Sequence, residues 1–133
     1  MKKILLSIIF YFLFSSLGHA TCLKTITTAL TDMQTCGTSE TLTVKSTGSI
    51  IRSGSKAVAA NNGVGASNTT VINHGLISAT NETINMKSAS GTNKITNTGT
   101  INTAQNEDDF QGTAVVVQIT DNTEIVNSGT IHG

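Results

Sequence analysis

The stretch that decides the fold is Val71-Ile72-Asn73-His74-Gly75-Leu76-Ile77, because its pattern recurs along the chain. The pattern is aliphatic, any, Asn, any, Gly, any, Ile. Two further copies keep every fixed position, at 95–101 with Asn97, Gly99 and Ile101, and at 125–131 with Asn127, Gly129 and Ile131. A weaker fourth copy at 44–50 has Ser46 in place of Asn. The four glycines are 27, 24 and 30 residues apart, and recurrence at such periods is typical of a solenoid.

A third extended segment lies in each interval between the copies. The segments are Lys56-Ala57-Val58-Ala59, Thr83-Ile84-Asn85-Met86 and Thr113-Ala114-Val115-Val116-Val117. Together with the pieces before and after each glycine, they give three short strands per coil. This plan predicts an all-β protein, a right-handed parallel β-helix of about four partial coils over residues 44–133.

The fixed positions of the motif have structural explanations in such a helix. The aliphatic residues Val71, Ile95 and Ile125 are expected to form one interior column, and the motif isoleucines a second. Glycine at the corner permits a turn that a side chain would obstruct. The three asparagines tolerate left-handed geometry and can bond one another along the axis, so we interpret them as structural residues and not as ligands.

The composition excludes several classes of protein. Thr, Ser, Asn and Gly make up 60 of the 133 residues, eight Lys and Arg balance eight Asp and Glu, and aromatic residues are 4%. This balance argues against a helical bundle, since good helix formers are few. It also argues against a nucleic-acid partner, which requires a basic face.

The first twenty residues have the pattern that is typical of an export signal. Lys2 and Lys3 precede an apolar run at 4–14, and Gly18-His19-Ala20 suits cleavage after Ala20. A transmembrane anchor is the alternative, but the run is too short to span a bilayer of about 30 Å. We therefore expect the Sec pathway and signal peptidase to deliver residues 21–133 to the periplasm, the cell surface or the medium.

Both cysteines, Cys22 and Cys36, lie in the exported part. An oxidising compartment favours a disulfide between them over free thiols. Residues 21–43 lack the repeat and are assigned to an N-terminal cap that contains this disulfide. No cap follows the last motif, so either more chain continues the solenoid or the open end pairs with a partner, end-to-end self-association included.

The phrases VINHGLISA, ITNTGTINT and IVNSGTIHG resemble passenger regions of bacterial autotransporters over residues 44–133. That resemblance implies a β-helix displayed outside a Gram-negative cell, often as an adhesin. No stretch resembles the translocator barrel of the family. We therefore expect the N-terminal part of a passenger, as a truncated product or a fragment.

Groups suited to chemistry are few. His74 occupies a variable motif position, and no nucleophile motif accompanies it. Glu107-Asp108-Asp109 is the sole acidic cluster, either a solvated loop or a weak calcium site, with Phe110 beside it. Hydroxyl residues that flank the glycines resemble the ladders of ice-binding solenoids, although His74 and Leu76 interrupt them.

We therefore expect a structural or adhesive module without catalytic residues, cofactor or metal. Its expected partner is a protein or glycan on a host or neighbouring cell. The alternative is a fragment of an exported carbohydrate-active β-helix enzyme, similar to a polysaccharide lyase.

Overall fold

Fourteen strands of the described residues wind as successive coils about one axis. The computed structural model describes residues 22–60, 66–87, 91–104, 113–118 and 123–133. The first three coils contain β1 (Thr25–Ile26), β2 (Ala29–Leu30), β3 (Gln34–Cys36); β4 (Thr41–Val44), β5 (Ser49–Ile51), β6 (Lys56–Ala60); and β7 (Thr70–Asn73), β8 (Leu76–Ala79), β9 (Glu82–Lys87). The last two contain β10 (Asn93–Asn97), β11 (Thr100–Thr103), β12 (Thr113–Gln118); and β13 (Thr123–Asn127), β14 (Thr130–His132).

Three parallel sheets run along the axis. Sheet 1 has the order β1-β4-β7-β10-β13, sheet 2 has β2-β5-β8-β11-β14, and sheet 3 has β3-β6-β9-β12. Every pairing is parallel and joins a strand to its counterpart one coil away. The predicted parallel β-helix with three strands per coil is confirmed. Five layers at about 4.8 Å give sheet 1 a height of roughly 19 Å.

The two predicted interior columns are confirmed by the strand registers. Val71, Ile95 and Ile125 are partners in sheet 1, and Leu42 extends that column towards the N-terminus. In sheet 2 the second column consists of Leu30, Ile50, Ile77, Ile101 and Ile131. Within the coils that have neighbours on both sides, these side chains are fully buried. Stacking of like residues therefore forms a continuous core from strands that are each too short to be stable alone.

The segment assigned to the N-terminal cap contributes a coil of its own. β1, β2 and β3 lie within residues 21–43, and each pairs with the corresponding strand of the next coil. Ile26 and Leu30, whose spacing looks nearly helical, belong to two strands on either side of a corner. The predicted boundary between 43 and 44 falls inside β4.

The weak fourth copy of the motif has a different register from the predicted one. Leu42 pairs with Val71, and Val44 pairs with Asn73. Val44, and not Ser46, therefore occupies the asparagine column. Three residues separate Val44 from Gly48, whereas one separates Asn73 from Gly75. The two extra residues form a turn that is closed by a hydrogen bond from the Gly48 N–H to the Lys45 carbonyl, 2.8 Å long.

Candidate functional site

The three motif asparagines stack at the corner between sheets 1 and 2 and form an amide ladder. Asn73 Nδ2 donates to Asn97 Oδ1 at 2.8 Å, and Asn97 Nδ2 donates to Asn127 Oδ1 at 2.7 Å. The same nitrogens also donate to carbonyls of the next coil, Asn73 to Thr100 at 3.0 Å and Asn97 to Thr130 at 3.1 Å. Asn73 and Asn97 are fully buried. The ladder therefore satisfies buried polar groups inside the scaffold and leaves the two inner amides no access to a ligand.

The conformational reason predicted for these residues is wrong. Among the described residues other than glycine, only Ser39 and Asn68 have a positive φ, so the motif asparagines are not left-handed. The motif glycines also lack a positive φ, which Gly91 alone shows among the described glycines. Asn73, Asn97 and Asn127 are instead the last residues of their strands, extended like the rest.

Close approach of successive coils is what requires glycine at the corner. A Cβ built on Gly99 would overlap the carbonyl oxygen of Gly75, and a Cβ on Gly129 would overlap that of Gly99. Gly75 meets the carbonyl oxygens of Gly48 and Lys45 in the same way. Each glycine thus allows the backbone of one corner to lie directly on the next.

The outer face of sheet 1 carries a column of β-branched side chains. Thr25, Thr43, Ile72, Thr96 and Val126 are register partners in five successive coils, and we call this column the β-branched strip. In β4, β7 and β10 its members alternate with buried residues, so they point away from the core. Val126 is 45% exposed, whereas Thr43, Ile72 and Thr96 are half-buried by their neighbours.

Sequence reasoning missed this strip, although the motif contains a signal for it. The position before each motif asparagine is Ile72, Thr96 or Val126, and each of these side chains branches at Cβ. Beside the strip, Lys94 Nζ lies 3.0 Å from Glu124 Oε2, and both side chains are about half exposed. Such a surface pair adds little to stability.

The outer face of sheet 2 is more varied. Ser49, Leu76, Thr100 and Thr130 are register partners there, so the residues that follow the glycines stack as expected, with Leu76 as the interruption. At the adjacent corner, His74 Nδ1 lies 2.7 Å from Thr98 Oγ1, and both side chains are exposed. His74 therefore contacts its counterpart in the next coil, as a corner residue.

The first coil is joined to the preceding residues by a disulfide and by a side-chain hydrogen bond. Cys22 and Cys36 form the disulfide, and Cys36 is fully buried in the core. The Leu23 N–H donates to Gln34 Oε1 at 3.1 Å, and Gln34 is 2% exposed. A shallow groove of about 440 Å³ lies next to the disulfide, lined by Cys22, Lys24, Ser39, Glu40 and Thr41.

Reduction of this disulfide is expected to destabilise the protein by roughly 2–3 kcal/mol, because it removes a loop constraint over a sequence separation of 14 residues. Chemical denaturation of the purified protein, with and without a phosphine reductant, measures the difference. The Cys22→Ser/Cys36→Ser variant, unaffected by the reductant, is the control. Equal midpoints for the oxidised and reduced wild type would contradict the prediction.

Other groups suited to chemistry are sparse in the part of the chain that the structure describes. No three His, Cys, Asp or Glu residues there lie close enough to hold a metal ion. Within the same residues, no helix has the length and apolarity needed to cross a membrane. The acidic cluster at 107–109, Phe110 and the expected export signal at 1–20 lie outside the described residues.

Comparison with known proteins returns no relative. No protein-family model matches the chain, no curated protein matches it, and no solved structure matches it. A functional proposal therefore rests on the fold and the side chains themselves.

Proposed function

We propose that this chain is an exported, structural or adhesive module of the autotransporter-passenger kind, which works by binding and not by catalysis. The β-branched strip carries this proposal. The partner that it contacts is a protein or glycan on the surface of a host or neighbouring cell. The export-signal pattern at 1–20 and the repeated phrases of residues 44–133 support delivery to the cell surface or the medium.

Stiffness makes the strip suitable for binding. β-Branched side chains have few χ1 rotamers, and parallel strands on both sides of the inner coils hold their backbones. Such a surface loses little conformational entropy when a partner docks on it. This favours a partner recognised through many small contacts over one held in a deep pocket.

The chemistry of the strip indicates what it contacts. Thr25, Thr43 and Thr96 offer hydroxyls that donate and accept hydrogen bonds, while Ile72 and Val126 offer methyl groups. Over about 19 Å, the strip matches an extended partner segment of roughly six residues. A protein strand or a glycan chain presents this mixture of polar and apolar groups along its length.

The experiment compares two pairs of lysine substitutions on different faces of the solenoid. Thr43→Lys/Thr96→Lys places two charges on the strip, and Ser49→Lys/Thr100→Lys places two on the outer face of sheet 2. All four residues are half-buried and point outward, so the pairs are matched in charge and exposure. Binding of the labelled protein to bacterial cells, animal cells and immobilised glycans is measured for each.

We expect the strip pair to weaken binding roughly tenfold or more, because a buried lysine at an interface must lose its hydration. The sheet 2 pair is expected to bind like the wild type, and far-UV circular dichroism checks that both pairs keep the fold. Absence of wild-type binding to all of these surfaces would overturn the adhesive function. Equal losses from both pairs would overturn the assignment of the strip.

A further inference from the structure

One carboxylate oxygen in sheet 3 contacts both an amine and a carboxamide. Glu82 Oε2 lies 3.3 Å from Lys56 Nζ and accepts a hydrogen bond of 2.7 Å from Asn85 Nδ2. Lys56 lies in β6 and is the register partner of Glu82, while Asn85 lies farther along β9. The three side chains therefore connect the second coil to the third, away from the β-branched strip.

The carboxamide is less accessible to water than the two charged groups. Asn85 is 7% exposed, and its register partner Ala59 is 3% exposed. The Lys56 and Glu82 side chains are 34% and 29% exposed. Water, which would hydrolyse the carboxamide, thus has little access to Asn85, whereas the amine already lies on the carboxylate that Asn85 contacts.

The shared oxygen is placed to move the proton that aminolysis of the carboxamide requires. Lysine attacks a carbonyl carbon as a neutral amine, and the departing nitrogen must gain a proton. Glu82 Oε2 contacts both of these nitrogens, so one atom can accept a proton from Nζ and deliver it to Nδ2. Attack requires about 3–3.5 Å between the reacting atoms. The flexible stem of lysine lets Nζ leave Oε2 for Asn85 Cγ, the carbon that carries Nδ2.

We propose that Lys56 and Asn85 form an isopeptide bond within the chain, with Glu82 as the proton carrier. The bond between Lys56 Nζ and Asn85 Cγ forms, and the bond between Cγ and Nδ2 breaks, without oxidation or reduction. Nζ loses two protons, of which one completes ammonia from the departing nitrogen and the other converts it to ammonium. The reaction occurs once per molecule and ties β6 to β9 covalently. It is independent of the adhesive function proposed above.

A second ion pair in the fold supplies an internal comparison. Lys94 Nζ and Glu124 Oε2 also belong to register partners in successive coils, 3.0 Å apart. Within the described residues, no side-chain amide donates to the Glu124 carboxylate. Lys94 therefore has a proton acceptor but no carboxamide to attack, and we expect its amine to stay free.

The test is digestion of the purified and denatured protein with a lysine-specific protease, followed by mass spectrometry. The relevant cleavage sites are Lys45, Lys56 and Lys87, and an unmodified chain gives peptides 46–56 and 57–87. An isopeptide bond at Lys56 blocks cleavage there. We expect one peptide, 46–87, lighter than its sequence by about 17 Da, the mass of ammonia, together with normal cleavage after Lys94.

Two substitutions separate this reaction from other losses of ammonia. Lys56→Arg keeps a cation beside Glu82 without the amine, so peptide 46–87 should appear at its full mass. Glu82→Gln keeps the size of the side chain but removes the proton carrier, so the linked fraction should fall roughly tenfold or more. Far-UV circular dichroism checks that both variants keep the fold.

Three results would overturn the proposal. The first is complete cleavage after Lys56 in the wild type. The second is a loss of ammonia confined to peptide 57–87, or the same loss in Lys56→Arg, because either would identify a cyclic imide formed by an asparagine alone. The third is an equal linked fraction in Glu82→Gln and the wild type, which would remove Glu82 from the reaction.

Discussion

Replacement of Gly99 by alanine is expected to destabilise the protein by about 4 kcal/mol, far more than one added methyl group normally costs. The new Cβ would overlap the Gly75 carbonyl oxygen and lie 2.6 Å from the His74 carbonyl carbon and 2.8 Å from the Gly75 nitrogen. These are backbone atoms, which cannot swing aside as a side chain can. The overlap can be removed only if the two coils move apart. That movement breaks neighbouring ladder hydrogen bonds and core contacts.

The matched control is Gly37→Ala. A Cβ on Gly37 would have the Glu40 carboxylate as its nearest neighbour, at 3.5 Å, which is ordinary contact. This substitution should change stability by less than about 1 kcal/mol, and the lower entropy of its unfolded chain favours folding slightly. Urea denaturation followed by far-UV circular dichroism measures both variants. A Gly99→Ala midpoint equal to that of Gly37→Ala would show that the coils are not in close contact at the corner.

The columns of the core were predictable because the motif has a fixed internal spacing. From Ile95 to Ile101, each residue keeps its place relative to Asn97 and Gly99, so alignment of the copies reproduces the strand registers. The unequal periods do not disturb this alignment. Differences in length fall between the motif and the third strand or between the third strand and the next motif, outside the paired segments.

The first coil and the register of Val44 were not predictable from the same pattern. β1 and β2 have two residues each, too few for apolar and polar residues to alternate visibly. Two inward residues across a corner, Ile26 and Leu30, also have the spacing of one helical turn. At Val44 the alignment was anchored on Gly48, and the two extra corner residues displaced the copy from its true register.

The β-branched strip has only a weak signal in the sequence, the β-branched residue before each motif asparagine, and the physical reason is different. An outward position on a solenoid accepts many residue types, so the sequence marks it by neither hydrophobicity nor a required glycine. Only the strand register shows that Thr43, Ile72 and Thr96 form one column across the coils. The sequence thus constrains the inward positions of the solenoid more strictly than its outward positions.

Replacement of Asn97 by leucine is expected to destabilise the protein by about 3–4 kcal/mol, although leucine has nearly the same shape and Asn97 lies in the core. The variant removes the acceptor of Asn73 Nδ2 and the donor to Asn127 Oδ1 and the Thr130 carbonyl. Asn127→Leu is the matched control at the exposed end of the ladder, and we expect it to cost about 1 kcal/mol. Equal costs at the two positions, measured by urea denaturation, would contradict a ladder that depends on burial.

A double variant distinguishes lost hydrogen bonds from poor packing. In Asn73→Leu/Asn97→Leu both partners of the 2.8 Å bond are replaced by apolar side chains. Neither position of that bond then holds a buried amide without a hydrogen-bond partner. Replacement of both partners by apolar groups of the same shape costs less than removal of one. We therefore expect the double variant to lose less stability than the sum of the two single losses, with a difference of roughly 1–2 kcal/mol.

Val44, fully buried beneath Asn73, already shows that this column accepts an aliphatic side chain where no ladder bond is interrupted. Strict additivity would mean that the amides act independently, each through its own contacts with the backbone of the next coil.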